Sequence, residues 1–128
     1  MDLLVYSNIK MPSRTVVAQE LAATFRALGH ECRIRIIEEL AHGKNGELDV
    51  HSLVEILDVP QPTVSQHLGV LRNAGLVKQR RTGRSVHYSL TNSSLASWLL
   101  KALKFLEPRS HEAERLSRAV EDVRRVWR

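Results

Sequence analysis

Arg72, Lys78, Arg80, Arg81 and Arg84 fall within residues 60 to 90, a stretch that contains no Asp or Glu. Cations at this density, with no acidic neighbour in sequence, suit a polyanion, and nucleic acid is the polyanion they suit best. The rest of the chain is balanced. Of 19 Lys and Arg, the 14 outside this stretch match the 14 Asp and Glu, so the formal net charge of +5 is a local property. The same stretch opens with Gln61, Thr63, Ser65, Gln66 and His67. Gln can bond adenine through two hydrogen bonds, and the hydroxyls of Ser and Thr can donate or accept. A solvated helix surface is the plainer account of Ser65, Gln66 and His67. Charge that blocks strand-edge pairing is the plainer account of Arg80, Arg81 and Arg84. The acid-free surroundings favour nucleic acid for both groups.

Such residues need elements to position them. Val16, Val17, Leu21, Phe25 and Leu28 recur at helical spacing, which predicts a helix over Arg14–Leu28 that Gly29 stops. A second helix runs over His30–Ala41, with Ile34, Ile37 and Leu40 or Ala41 as its inner stripe. Residues 42–46 form a turn-rich break. Glu47–Val50 is short and possible strand, leading into a helix over Ser52–Leu57 whose Ser52 and Glu55 are spaced like a capping box. Asp58, Val59 and Pro60 make a tight connection to a helix over Gln61–Asn73. There Val64, Leu68 and Leu71 form the buried face, and Pro62 is tolerated because first-turn N–H groups have no intrahelical partner. Leu76–Arg81 and Ser85–Leu90 read as two strands around Thr82, Gly83 and Arg84. Ser94–Leu106 and Ser110–Trp127 are the last helices, the second with Ala113, Leu116, Val120, Val123 and Trp127 as a narrow seam of coiled-coil type. The fold class is mainly α with a small β-hairpin wing, a winged helix-turn-helix. A helix that enters the major groove presents its N-terminal residues to base edges, which gives Gln61, Thr63, Ser65, Gln66 and His67 their role.

The run from Leu28 to Ile37, the Val64-Ser65-Gln66-His67-Leu68 element, the run from Leu71 to Val77 and Gly83 to Tyr88 together resemble the ArsR-type winged-helix repressors. The likeness spans about Gln19 to Leu106. It implies a homodimer built on the first and penultimate helices, and an operator that a ligand causes the protein to leave. Many relatives bind metal through Cys-x-Cys at the start of the third helix. The matching positions here are Asp49 and His51, which can hold zinc or nickel only if other residues complete the shell. Helix capping by Asp49 and a surface His51 is the plainer account. A second family metal site maps onto Asn92, Ser94, Phe105 and Pro108, which are not convincing ligands.

Cys32 is a candidate redox sensor if nearby Arg33, Arg35 and His30 lower its pKa, although a free helical Cys is more often a small buried apolar residue. His111, Glu112 and Glu114 could meet an ion, but acids at a helix start also complement its dipole. A lone cysteine makes no internal disulfide, and no run of apolar residues approaches a membrane span. With no secretory signal in the first residues, the expected location is cytoplasmic.

The chain divides into an N-terminal extension over 1–13, a winged-helix DNA-binding and dimerisation domain over 14–108, and a C-terminal amphipathic helix over 109–128. No nucleophile elbow, cofactor loop or paired carboxylates in a Gly-rich setting suggest an enzyme. The expected function is a homodimeric transcriptional repressor that binds an inverted-repeat operator in double-stranded DNA, with half-sites about one helical turn apart. The alternatives are a winged-helix protein-interaction module and a DNA-binding protein without ligand control.

Overall fold

A computed structural model describes residues 11–106 and 113–127. Residues 1–10, most of the expected extension, lie outside the described residues, as do His111 and Glu112. The elements run α1 (Met11–Leu28), α2 (Glu31–His42), a 3-10 turn (Lys44–Gly46), β1 (Glu47–Asp49), α3 (Val50–Leu57) and α4 (Gln61–Asn73). Then come β2 (Val77–Thr82), β3 (Ser85–Leu90), α5 (Ser94–Ala102), a second 3-10 turn (Leu103–Phe105) and α6 (Ala113–Trp127). This is the expected mainly helical architecture with a wing. Helix α1 starts three residues earlier than the apolar spacing indicates, because Pro12 and Ser13 sit in a first turn whose N–H groups need no intrahelical partner.

The core lies where α2, α3 and α4 meet. Ile36, Ile37, Leu40, Leu53, Val64, Leu68 and Leu71 are completely or almost completely shielded from solvent, with Leu28, Cys32, Leu57, Val77 and Leu99 around them. In α2 the inner stripe is Cys32, Ile36, Ile37 and Leu40. Ile34, expected in that stripe, is 38% exposed, and Ala41 is exposed too. With two adjacent isoleucines and a cysteine at helical spacing, more than one apolar face was available, and the face carrying Cys32 won.

Helix α1 is covered little by its own protomer, as a helix of an interface between two copies would be. Among its residues from 12 onward, Ala27 and Leu28 at its end are the buried ones, while Val16, Val17, Leu21 and Phe25 are each more than half exposed. Their regular spacing therefore marks an apolar face that the protomer itself does not cover.

The wing is a three-stranded antiparallel sheet in the order β1-β3-β2. Glu47, Leu48 and Asp49 pair with Ser89, Tyr88 and His87, and Val77 through Thr82 pair with Leu90 back to Ser85. The hairpin bend is only Gly83 and Arg84. Gly83 takes a positive φ of 59°, as a two-residue hairpin turn demands of its first loop residue. The expected capping box at Ser52 does not form. Strand β1 delivers Asp49 in extended conformation, and its carboxylate accepts the Ser52 N–H at 2.7 Å. Asp49 is thus the N-cap and Ser52 lies one turn inside the helix.

Candidate nucleic-acid interface

The turn from α3 to α4 is set by Asp58, Val59 and Pro60. Asp58 adopts the left-handed region (φ 54°, ψ 47°), which Asp tolerates better than most side chains, and its N–H closes α3 on the Val54 carbonyl. Pro60 is extended and caps α4, with Pro62 in the first turn. Packing then fixes the rotation of α4. Val64, Leu68 and Leu71 face the core, so Gln61, Ser65, Gln66 and Arg72 face solvent. Thr63 is half-buried.

His67 does not share that free surface. Its ring is half-buried against His30, with centroids 4.4 Å apart and planes tilted by 41°. Its Nδ1 is buried and has no hydrogen-bond partner. Burial, followed by the charges of His30 and Arg33, holds His67 below the ordinary histidine range. His30 is itself engaged at the head of α2, where its Nδ1 accepts the Cys32 N–H at 3.0 Å.

On the wing, alternation along the strands puts Asp49, His87 and Arg80 in one cross-strand row and Glu47, Ser89 and Lys78 in the next. One face of the sheet therefore grades from acidic at β1 to basic at β2. Arg80 spans it diagonally. Its Nε and Nη2 donate to the two Glu47 carboxylate oxygens at 3.1 and 2.7 Å, and Nη1 donates to the Thr82 hydroxyl. The hydrogen bonds from Arg80 hold the Glu47 carboxyl below its usual range, and the same contact raises Arg80. The His87 Nδ1 stands 3.9 Å from the Glu47 Oε2, the oxygen that also meets Arg80 Nη2.

The five cations of this stretch are therefore not all uncompensated. Glu47, 33 residues before Arg80 in sequence, neutralises one of them. Arg72, Lys78, Arg81 and Arg84 are exposed and form no ion pair among the described residues. Charge summed along the chain does not show Glu47, which lies outside the 60–90 stretch. The available signal was the possible strand at Glu47–Val50, since a third strand beside the hairpin brings its acids next to β2's cations.

The sensor candidates take structural roles. Asp49 caps α3, while His51 is exposed and pairs with Glu55 one turn on at 3.2 Å. Among the described residues no group of three or more His, Cys, Asp or Glu is placed to hold a metal ion. Cys32 is 8% exposed in the core, and burial raises its pKa despite the opposing charge of Arg35. A thiol so placed is mostly protonated near neutral pH, which argues against a poised redox sensor. No helix among the described residues is long and apolar enough to cross a membrane.

The family model described as "Bacterial regulatory protein, arsR family" matches residues 30–79. That span runs from His30 through α4 into β2. The biofilm growth-associated repressor of Agrobacterium fabrum is 39% identical over 96 residues, which cover 75% of this chain and 79% of that protein. Two solved structures share the architecture. The transcriptional repressor BigR from Xylella fastidiosa is 30% identical with a TM-score of 0.62, over 77% of this chain and 97% of that one. A homodimeric winged helix-turn-helix DNA-binding domain from Mycobacterium bovis is 25% identical with a TM-score of 0.66, over 81% of this chain and 97% of that one.

Proposed function

The chain belongs to the ArsR family of bacterial regulatory proteins, and on that footing we propose that it is a cytoplasmic, homodimeric transcriptional repressor that reads an inverted repeat in double-stranded DNA. The observation that carries this is the rotation of α4. Its apolar side is spent on the core, which leaves Gln61, Ser65, Gln66 and Arg72 to meet a groove. Lys78, Arg81 and Arg84 on the wing then hold phosphates and set register, while the α4 side chains discriminate bases. Thr63 adds a hydroxyl from a half-buried position. Arg80 braces the wing through Glu47.

A second copy is needed to cover α1. Val17, Leu21 and Phe25 recur every fourth residue and stay more than half exposed, and Phe25 lies 5.6 Å from Trp98 of α5, itself 43% exposed. An apolar face shared by these two helices is what a two-fold partner would bury. We assign Leu116, Val120 and Val123 of α6 to the same pairing, and removal of residues 109–128 should lower the dimerisation constant. Repression by such a protein is operator occupancy. Release by an effector is an expectation of the family, for which Asp49, His51 and Cys32 offer no obvious receptor.

Selection from a random-sequence duplex pool, followed by gel shift at low and moderate salt, tests the proposal. The expected result is recovery of two similar half-sites in inverted order, bound by a dimer, with preference retained as salt rises. Equal binding to all duplexes, or a stably monomeric protein, would overturn it.

A further inference from the structure

We propose that His67 is a positioning residue for DNA reading: its neutral ring, seated against His30, fixes the pose of α4, and protonation of that ring unseats the helix and weakens duplex binding. This rests on the DNA-binding proposal above and assigns a different role from base contact to one residue of the α4 set.

The geometry joins the reading helix to the exposed N-cap of α2 through a polar ring contact. His67 directly follows Ser65 and Gln66, which are exposed, and directly precedes Leu68, which is buried. Its ring packs on His30 at 4.4 Å between centroids, and His30 is tethered to the first turn of α2 through the Cys32 N–H. The His67 Nδ1 has no acceptor and no access to solvent. In the neutral ring with its proton on Nε2, Nδ1 is a bare lone pair, the cheaper form to bury. A proton on Nδ1 would bury a charged donor that nothing accepts.

The groups whose charge bears on this ring are His30 and Arg33, the latter with an Nε that is also buried and unbonded. Both oppose a positive charge. Either the ring stays neutral or it leaves this seat, and α4 loses its polar anchor to the start of α2.

The sign separates this role from direct contact. A His67 that touched a base edge or phosphate would gain attraction on protonation, and binding would tighten as pH falls. A positioning His67 gives the reverse. The folded protein prefers the neutral ring, so the seat is intact above the ordinary histidine value of about 6.5 and is lost as pH falls through the lower folded value.

The test uses the full chain and a labelled duplex recovered from a random-sequence pool at about pH 7.5, with binding followed by fluorescence anisotropy at constant ionic strength down to about pH 5.5. The expected result is at least about fivefold weaker binding by the wild type across this range. His67→Gln, which cannot take up a proton, should lose most of that dependence. Tighter wild-type binding at acid pH, or an identical profile in His67→Gln, would overturn the assignment.

A second measurement needs no variant. Linkage is reciprocal, so adding the duplex must drive His67 towards its neutral form, read from its ring resonances by NMR. If the duplex instead promotes protonation, the assignment is wrong. A wild type that selects no duplex at about pH 7.5 would remove the DNA-binding proposal itself, a result distinct from a flat pH profile.

Discussion

Replacing Arg84 and Arg80 in turn should produce different salt responses, although both are arginines of the same hairpin. Arg72, Lys78, Arg81 and Arg84 form no ion pair among the described residues, although the charge of Lys78 also acts on Glu47, whereas Arg80 is held by both oxygens of Glu47. The three wing cations Lys78, Arg81 and Arg84 on each of two protomers, each displacing about 0.9 counterion when it meets a phosphate, give a slope of log K against log salt of about −5. Arg84→Ala removes one cation from each protomer and should make the slope shallower by about 2. Arg80→Ala should lower affinity by loosening the wing and leave the slope close to that of the wild type. Glu47→Gln frees Arg80 and should steepen the slope by up to about 2. The assay is anisotropy titration of a selected duplex over a series of salt concentrations, with circular dichroism and light scattering confirming fold and dimer. If Arg80→Ala flattens the slope as much as Arg84→Ala does, Arg80 leaves Glu47 for phosphate in the complex and the bracing role is wrong.

Asp49→Ala should cost about 1 kcal/mol in urea denaturation near neutral pH, the usual contribution of an N-cap carboxylate. Hydrogen bonds from the Ser52 hydroxyl and then its N–H hold the Asp49 carboxyl below its usual range, so that contribution is full above the ordinary aspartate value. It disappears as pH falls through the lower folded value, and a wild-type advantage that persisted in strong acid would contradict the cap assignment. Cys32, buried and with its pKa raised by burial, should react with a neutral-pH thiol reagent only as fast as the core opens. Rapid labelling of the folded protein would contradict its burial.

Sequence was most informative where one interaction dominates. In α4 the spacing of Val64, Leu68 and Leu71 forces a single rotation, so the exposure of Gln61, Ser65, Gln66 and Arg72 could be read directly. Gly83 located the hairpin because few other residues tolerate its conformation. Legibility fell where two accounts shared one pattern. The stripe of α1 has the period of a core helix, but it stays exposed, since the apolar period shows that a face is buried and not against which chain. His67 looked like its polar neighbours in sequence, and only the tertiary approach of His30 draws it inward. The same holds for Glu47, whose pairing with Arg80 depends on strand order. Between Asp49 and Ser52 the spacing allowed either as cap, and the extended backbone of β1 decided for Asp49.

Strand β1 joins two parts of the chain that are far apart in sequence. It leads straight into α3 and is hydrogen-bonded along its length to β3, while Leu48, Val50, Tyr88 and Leu90 pack on the central cluster. The wing is consequently no pendant flap, and the distance between its tip and the reading helix behaves as a fixed gauge. Apart from the seat of His67 on His30, a protomer built this way has little freedom to retune its own grip. A signal other than protonation of that ring would act most cheaply on the span between the two copies, as a pair of callipers is adjusted at the hinge and not at the points.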